Sequence, residues 1–154
     1  MQLLKILFCI IGRMLLSSIF IIAGINKCLN FSSAKEGYLE ILAKWHMGTD
    51  NSFLENLFNL MAEQANLFLG TATALELVGG ALIFIGIFAR IGAWCLIFFL
   101  IPVTLVFHPF WILQSPEKDL QLVMFMKNLS ILGGMLIVAV FGSGISFKKK
   151  EDLS

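Results

Sequence analysis

Three charged residues interrupt otherwise apolar stretches of the sequence: Arg13, Glu76 and Lys127. Each lies in a run long enough to cross a bilayer, where one charge at a helix centre costs about 2.5–3.5 kcal/mol on insertion scales. Measured from the outer interface, their depths are roughly 18, 13 and 8 Å at ~1.5 Å per residue. Glu76 falls between the two cations in depth. We therefore expect its carboxylate to link both of them, which joins three helices.

This predicted polar cluster also includes Asn128, whose amide follows Lys127 directly and supplies both donors and an acceptor. Ionisable groups inside a membrane mark functional sites by default. The functional interpretation is a pathway, or a pocket for an anionic or carbonyl-bearing ligand such as a quinone. The structural interpretation is a polar lock between packed helices. Three charges on three helices favour the functional interpretation.

Three further candidates lie where apolar runs end: Lys27, Arg90 and His108. Lys27 follows the first run, and Arg90 lies in a very short connection between the second and third. His108 precedes Pro109, which ends the third run. A lone histidine at a membrane interface is more often a polar helix end than a proton carrier, although its titration range allows that role.

The three cysteines, Cys9, Cys28 and Cys95, are scattered, with no CxxC motif and no histidine at ligand spacing. They predict neither a disulfide framework nor a metal site. No motif for haem, flavin, an iron–sulfur cluster or a dinucleotide is present, so we expect no intrinsic cofactor. A redox cofactor would be a diffusible quinone or would belong to a partner protein.

Hydrophobic residues make up 58% of the chain and charged residues 14%. A small soluble fold cannot hide so much apolar surface, so the bilayer is the expected partner. The net charge of +1 provides no basic face for nucleic acid. Each of four apolar runs approaches the ~17–25 residues that a membrane span needs. The sequence predicts one all-α domain (1–154), an integral membrane four-helix bundle with spans at 6–25, 67–88, 91–107 and 122–141.

The long connection between the first two spans has two helix-start signals. Ser33 and Glu36, and again Ser52 and Glu55, have the spacing of a capping box before an apolar-periodic stretch. Residues 48–51 carry turn-forming types. We therefore expect two short helices in this outer connection.

The distribution of basic residues predicts the orientation. Lys5, Arg90 and the run 148–150 would share one face, while the lysines of the opposite face are diluted by acidic residues. Because cytoplasmic connections are enriched in lysine and arginine, both termini are expected in the cytoplasm.

Several fragments, in order, carry a family resemblance: GRMLLSSIFIIAGINKCLNF, ALELVGGALIFIGIFARIGAWCL, VTLVFHPFW and MFMKNLSILGGMLIV. Together they resemble the DoxX family of small membrane proteins over nearly the whole chain. The resemblance implies a four-helix membrane bundle, which agrees with the span count. It also suits a bacterial inner membrane. The positions that match the family pattern, without an established chemical role, are Arg13, Lys27, Glu76, Arg90, His108, Lys127 and Asn128.

The resemblance implies a function only broadly, because the family is named for a subunit of a terminal oxidase or thiosulfate:quinone oxidoreductase. We expect a subunit of a redox-associated, quinone- or thiol-linked membrane complex, with redox proteins as partners. Whether it is catalytic itself stays open. The alternative is a non-enzymatic scaffold or a small transporter of a solute or protons. Four helices are few for a transporter, although an oligomer supplies more.

Overall fold

The computed structural model describes residues 1–47 and 51–144. Within these ranges the chain is helical and contains no strand, which confirms the all-α prediction. The helices are α1 (Gln2–Leu29), α2 (Phe31–Met47), α3 (Ser52–Glu63), α4 (Ala65–Ile85), α5 (Ala89–Phe107) and α6 (Glu117–Phe141), with a 3₁₀ turn at Phe110–Ile112.

Four of these helices, α1, α4, α5 and α6, are long and apolar enough to cross a membrane. The number of spans agrees with the prediction, but the bounds differ: α1 extends four residues beyond the predicted span at each end, α6 begins five residues earlier, and the second span ends three residues earlier. The expected run continued to Phe88, but α4 ends at Ile85 because Gly86 adopts a left-handed conformation with φ of 86°. Phe88 is also left-handed (φ 52°) and lies directly before α5. The chain therefore reverses direction within three residues.

Helix α4 packs against both α1 and α5, and α5 packs against α6. Glycines allow the close approach. A β-carbon on Gly79 of α4 would lie 2.7 Å from Leu96 and 3.1 Å from the Gly92 carbonyl of α5. Because lipid tails provide no hydrophobic driving force between helices, such small residues hold membrane bundles together by close van der Waals contact.

The two outer helices, α2 and α3, confirm the prediction for the long connection. Their starts differ from the expected capping boxes: α2 begins at Phe31, before Ser33, and the side chain of Asn51 caps α3 by accepting from Phe53 and Leu54. Asparagine is among the preferred residues at this position. Of the predicted turn, residues 48–50 lie outside the described ranges.

Helix α2 is fixed to the bundle by Trp45, whose indole donates to the Val106 carbonyl at 2.8 Å and whose ring stacks on Phe58. We call the end of the bundle that α2 and α3 cover the loop end. The opposite end, where α1 begins and α6 finishes, is the termini end. The lysine run 148–150 lies beyond the described residues.

Candidate functional site at the loop end

An ion pair between Lys27 and Glu76 joins α1 to α4 near the loop end. The lysine Nζ donates to the Glu76 carboxylate at 2.5 Å. Glu76 is buried at 4% exposure, whereas the Lys27 side chain retains 27%. Taking a carboxylate out of water costs several kcal/mol unless a cation compensates it, so Lys27 is what permits Glu76 to be charged here.

A glycine one turn earlier allows this contact. Gly24 faces α4 so closely that a β-carbon on it would lie 2.7 Å from Leu77 and 3.6 Å from the Glu76 β-carbon. Residues three apart share one helix face, so Lys27 lies on the same face as Gly24. The Gly-x-x-Lys sequence therefore combines the close approach of the two helices with the cation that bridges them.

Arg13 does not join Glu76, which corrects the predicted three-charge cluster. Its guanidinium lies beside Gly86, ten residues beyond Glu76 and therefore about 15 Å further along α4. Side chains on a helix lean toward its N-terminus. On α1 this direction carries Arg13 away from Glu76 toward the termini end, and it carries Lys27 toward Glu76.

Lys127 and Asn128 also lie apart from Glu76. Lys127 is exposed on α6, where its Nζ lies 3.5 Å from the Met124 sulfur. Asn128 is buried and donates to the Thr104 hydroxyl at 3.1 Å, and Thr104 in turn donates to the Leu100 carbonyl at 2.6 Å. The amide thus belongs to a polar link between α6 and α5.

A cavity of about 600 Å³ lies beside the ion pair, between α1, α2, α3, α4 and α5. Its walls are mostly apolar, with rings from Phe68, Phe98, Phe99 and Phe107, and Lys27 is among the few polar groups that line it. The Lys27 ammonium lies 5.9 Å from the centre of the Phe99 ring. This size, and an apolar lining with a few polar groups, is typical of small-molecule sites.

Four further polar side chains line the cavity: Asn26, Tyr38, Thr71 and His108. His108 accompanies Gln121, with Nδ1 and Oε1 2.7 Å apart. Because a carbonyl oxygen only accepts, Nδ1 donates, and a neutral ring keeps Nε2 as an acceptor. The Tyr38 hydroxyl donates to the Met61 carbonyl at 3.3 Å, and burial raises the pKa of Tyr38 above its ordinary value, which keeps it protonated at neutral pH.

The helix-end candidates are therefore divided between the two ends. Lys27 and His108 meet at the loop-end cavity, whereas Arg90 is exposed at the termini end. The cysteines Cys9, Cys28 and Cys95 are free thiols. In the part of the chain that the structure describes, no group of three or more His, Cys, Asp or Glu residues is placed to hold a metal ion.

Sequence reasoning missed that Lys27 pairs with Glu76, because the first span was ended at Ile25 and Lys27 was placed outside it. Helix α1 continues to Leu29. The spacing of Gly24 and Lys27 on one face was the available signal. Tyr38 and Thr104 were missed as well, and neither carries a pattern that separates it from ordinary packing residues.

The fold and the buried ion pair define a class: a multi-pass helical membrane protein whose cavity lies beneath the two helices, α2 and α3, that cover the loop end. The family model for DoxX matches residues 8–109, and the chain belongs to the DoxX family. It is similar to the inner membrane protein YphA of Escherichia coli (strain K12), with 27% identity over 135 residues that cover 88% of this chain and 83% of that protein. No solved structure matches the chain.

Proposed function

We propose that the protein is the membrane subunit of a quinone-linked redox complex and that the loop-end cavity binds the quinone. The observation that carries this proposal is the position of Lys27, which lines an aromatic cavity while Glu76 fixes its ammonium. A quinone presents a flat ring and two carbonyl acceptors. Aromatic walls suit the ring, and the ammonium has three donors, of which Glu76 engages one.

Two other polar groups of the lining suit the same ligand class. The hydrogens of Tyr38 and of His108 Nδ1 are engaged by Met61 and Gln121, and a neutral His108 ring offers Nε2 as an acceptor for a quinol hydroxyl. The Lys27 ammonium is the donor, and a donor to a quinone carbonyl stabilises the negative charge that develops on reduction. In the proposed complex, the electrons would come from a partner protein.

Access to the cavity from the lipid also supports a lipid-soluble ligand. Three of its lining residues, Phe68, Leu75 and Phe98, are exposed on the outer surface of the bundle. In a bilayer this surface faces acyl chains, where quinones dissolve. We infer that the ligand enters sideways between α4 and α5.

We place the protein in a bacterial inner membrane with both termini in the cytoplasm. The name of the Escherichia coli relative supports the membrane. Lys5 and Arg90 at the termini end support the orientation, because basic residues concentrate on cytoplasmic connections. Under this assignment the quinone cavity lies at the outer side of the bilayer.

The test is the quinone content of protein purified in mild detergent from cells supplied with quinone. We expect near-stoichiometric quinone in the wild type and a loss of about tenfold in Lys27→Gln, the equivalent of one charge-assisted hydrogen bond. Lys118→Gln, an exposed lysine at the same end, serves as the matched control. Quinone-free wild type at saturating supply, or equal loss in both variants, contradicts the proposal.

A scaffold or small transporter is the second candidate, because the ion pair ties α1 to α4 whether or not a ligand is bound. It predicts that Lys27→Gln lowers the melting temperature in detergent while the quinone content and the cellular resistance to redox stress stay at wild-type values. If Lys27→Gln folds stably but the cells become sensitive to redox stress, the result supports the redox subunit instead.

A further inference from the structure

A second cleft lies at the termini end, about 15 Å along α4 from Glu76 and separate from the proposed quinone cavity. Its volume is about 640 Å³. The wall consists of the α4–α5 connection with the first turn of α5, and of the end of α6 with the segment that follows it; the lining residues are 86, 88–91 and 141–144. Arg90 is among these lining residues.

Arg13 lies directly beside the wall of this cleft. A β-carbon on Gly86, one of the lining residues, would overlap the Arg13 guanidinium, so the two groups are in contact. Arg13 is only 6% exposed, and among the described residues its buried Nε and Nη1 atoms have no hydrogen-bond partner. A buried cation with two unused donors is an incomplete site.

A second guanidinium flanks the other side. Gly142 also lines the cleft, and a β-carbon there would lie 3.2 Å from Arg90 Nε. Gly144 brings the same wall against Cys9, one turn before Arg13 on α1. The cleft is therefore bounded by two arginines, one buried and one exposed.

No carboxylate of the described chain is available to either arginine. Within 1–47 and 51–144, every acidic residue other than Glu76 lies in α2, in α3 or in the first turn of α6, all at the loop end. Glu76 is engaged by Lys27. The counter-charge for the buried Arg13 therefore comes either from the residues beyond 144, which include Glu151 and Asp152, or from a bound anion.

The end of α4 offers Arg13 some compensation, because the C-terminus of a helix carries partial negative charge. That interaction contributes about 0.3–1 kcal/mol, and up to ~2 in partly buried geometry. Burying an unpaired cation costs several kcal/mol. The helix terminus alone therefore does not balance Arg13, and a bound anion would.

We propose that this cleft binds a phosphate group through Arg13 and Arg90, supplied by a phospholipid headgroup or by free phosphate. Paired guanidinium groups match the oxygens of phosphate in geometry and charge. Exposed apolar residues at the rim, Phe88, Ile91 and Phe141, would adjoin the acyl chains of a lipid.

The test compares dioleoylphosphatidylglycerol with dioleoylglycerol, which has the same chains and no phosphate, added to the purified protein in detergent. A third arm adds inorganic phosphate against chloride at equal ionic strength. A ligand that binds only the folded state raises the melting temperature. We expect phosphatidylglycerol to raise it and dioleoylglycerol not to; a rise with inorganic phosphate as well identifies free phosphate as a second source.

Variants of the two arginines test whether the stabilising ligand binds in this cleft. Arg90→Gln, at an exposed position, is expected to fold and to weaken the apparent affinity for the phosphate-bearing ligand about tenfold, as loss of a charge-assisted hydrogen bond implies. Arg13→Gln should abolish binding of the phosphate-bearing ligand. Lys118→Gln at the loop end should respond like the wild type. The proposal is overturned if both lipids raise the melting temperature of the wild type equally and neither salt raises it. It is also overturned if Lys118→Gln loses as much affinity as Arg90→Gln.

Discussion

The two ends of the bundle treat a buried charge in opposite ways. At the loop end Glu76 is compensated by Lys27 from the neighbouring helix, and the pair adjoins a cavity covered by α2. At the termini end Arg13 is equally buried, yet two of its nitrogens have no partner in the described chain. In the functions proposed above, the paired Lys27 is a fixed donor beside a neutral ligand, whereas the unpaired Arg13 binds a charged one.

Breaking the pair at its exposed partner should give the largest effect. Lys27→Met leaves the Glu76 carboxylate buried without compensation, and we expect a loss of about 3 kcal/mol in the free energy of unfolding. Glu76→Gln should cost less, because the more exposed Lys27 can turn toward the interface. The double variant should cost less than Lys27→Met alone. Reversible unfolding in detergent measures this order, and a double variant equal to the sum of the singles would show that the two charges are not coupled.

At the termini end, Gly86→Ala tests the contact with Arg13. The left-handed conformation at this position costs a residue with a β-carbon about 1–2 kcal/mol, and the methyl group also displaces the guanidinium. We expect a loss of about 2 kcal/mol, reduced when Arg13 is replaced by alanine in the same chain. Gly133→Ala is the control, since a β-carbon there meets nothing within 4 Å. If Gly86→Ala costs the same free energy of unfolding with and without the Arg13 side chain, contact with Arg13 does not contribute to that cost.

An uncharged polar link between α5 and α6 provides an intermediate case. Asn128→Ala removes the donor to Thr104, but the Thr104 hydroxyl keeps its bond to the Leu100 carbonyl. Hydrogen bonds between membrane helices contribute about 0.6 kcal/mol on average, so a loss near 1 kcal/mol is expected. The melting temperature should fall slightly while quinone content stays unchanged. Loss of the quinone would place Asn128 in the binding site.

The smallest effect on stability is expected at Lys127, which lies in a span but is exposed on the surface of the bundle. Its Nζ lies 3.5 Å from the Met124 sulfur, a weak acceptor. Lys127→Gln should change the free energy of unfolding by less than about 0.5 kcal/mol, because the long side chain of Lys127 can reach the membrane interface and its ammonium is not buried between helices. Thermal unfolding and quinone content together check this. A large loss in either would restore Lys127 to the polar site first predicted for it.

Much of the fold could be predicted from the sequence, because hydrophobic runs and turn residues are local signals. The four spans and both outer helices belong to this class. The end of α4 could not be placed, since Phe84 to Phe88 is apolar throughout and only the conformation of Gly86 stops the helix. The depth of each charged residue in the bilayer also does not predict which charges pair, because it ignores the direction in which each side chain points.

The partner of Glu76 illustrates that limit. The sequence predicts Arg13 and Lys127 as partners of Glu76 because both lie inside predicted spans, and it predicts Lys27 only as a separate helix-end candidate just past one. Lys27 reaches the Glu76 carboxylate only because of the rotation of α1 against α4, which the close contact at Gly24 sets. Such contacts between helices depend on packing that no single-helix pattern contains.

The central claim is that Lys27 and the loop-end cavity bind a quinone, and the most direct measurement is photolabelling with a quinone analogue in bilayers followed by peptide mapping. We predict labels on α5 between Phe98 and His108 and on α2 near Tyr38, which compete with unlabelled quinone and diminish in Lys27→Gln. Labels spread over the lipid-facing surface, or at the termini end, or insensitive to competitor, would contradict it.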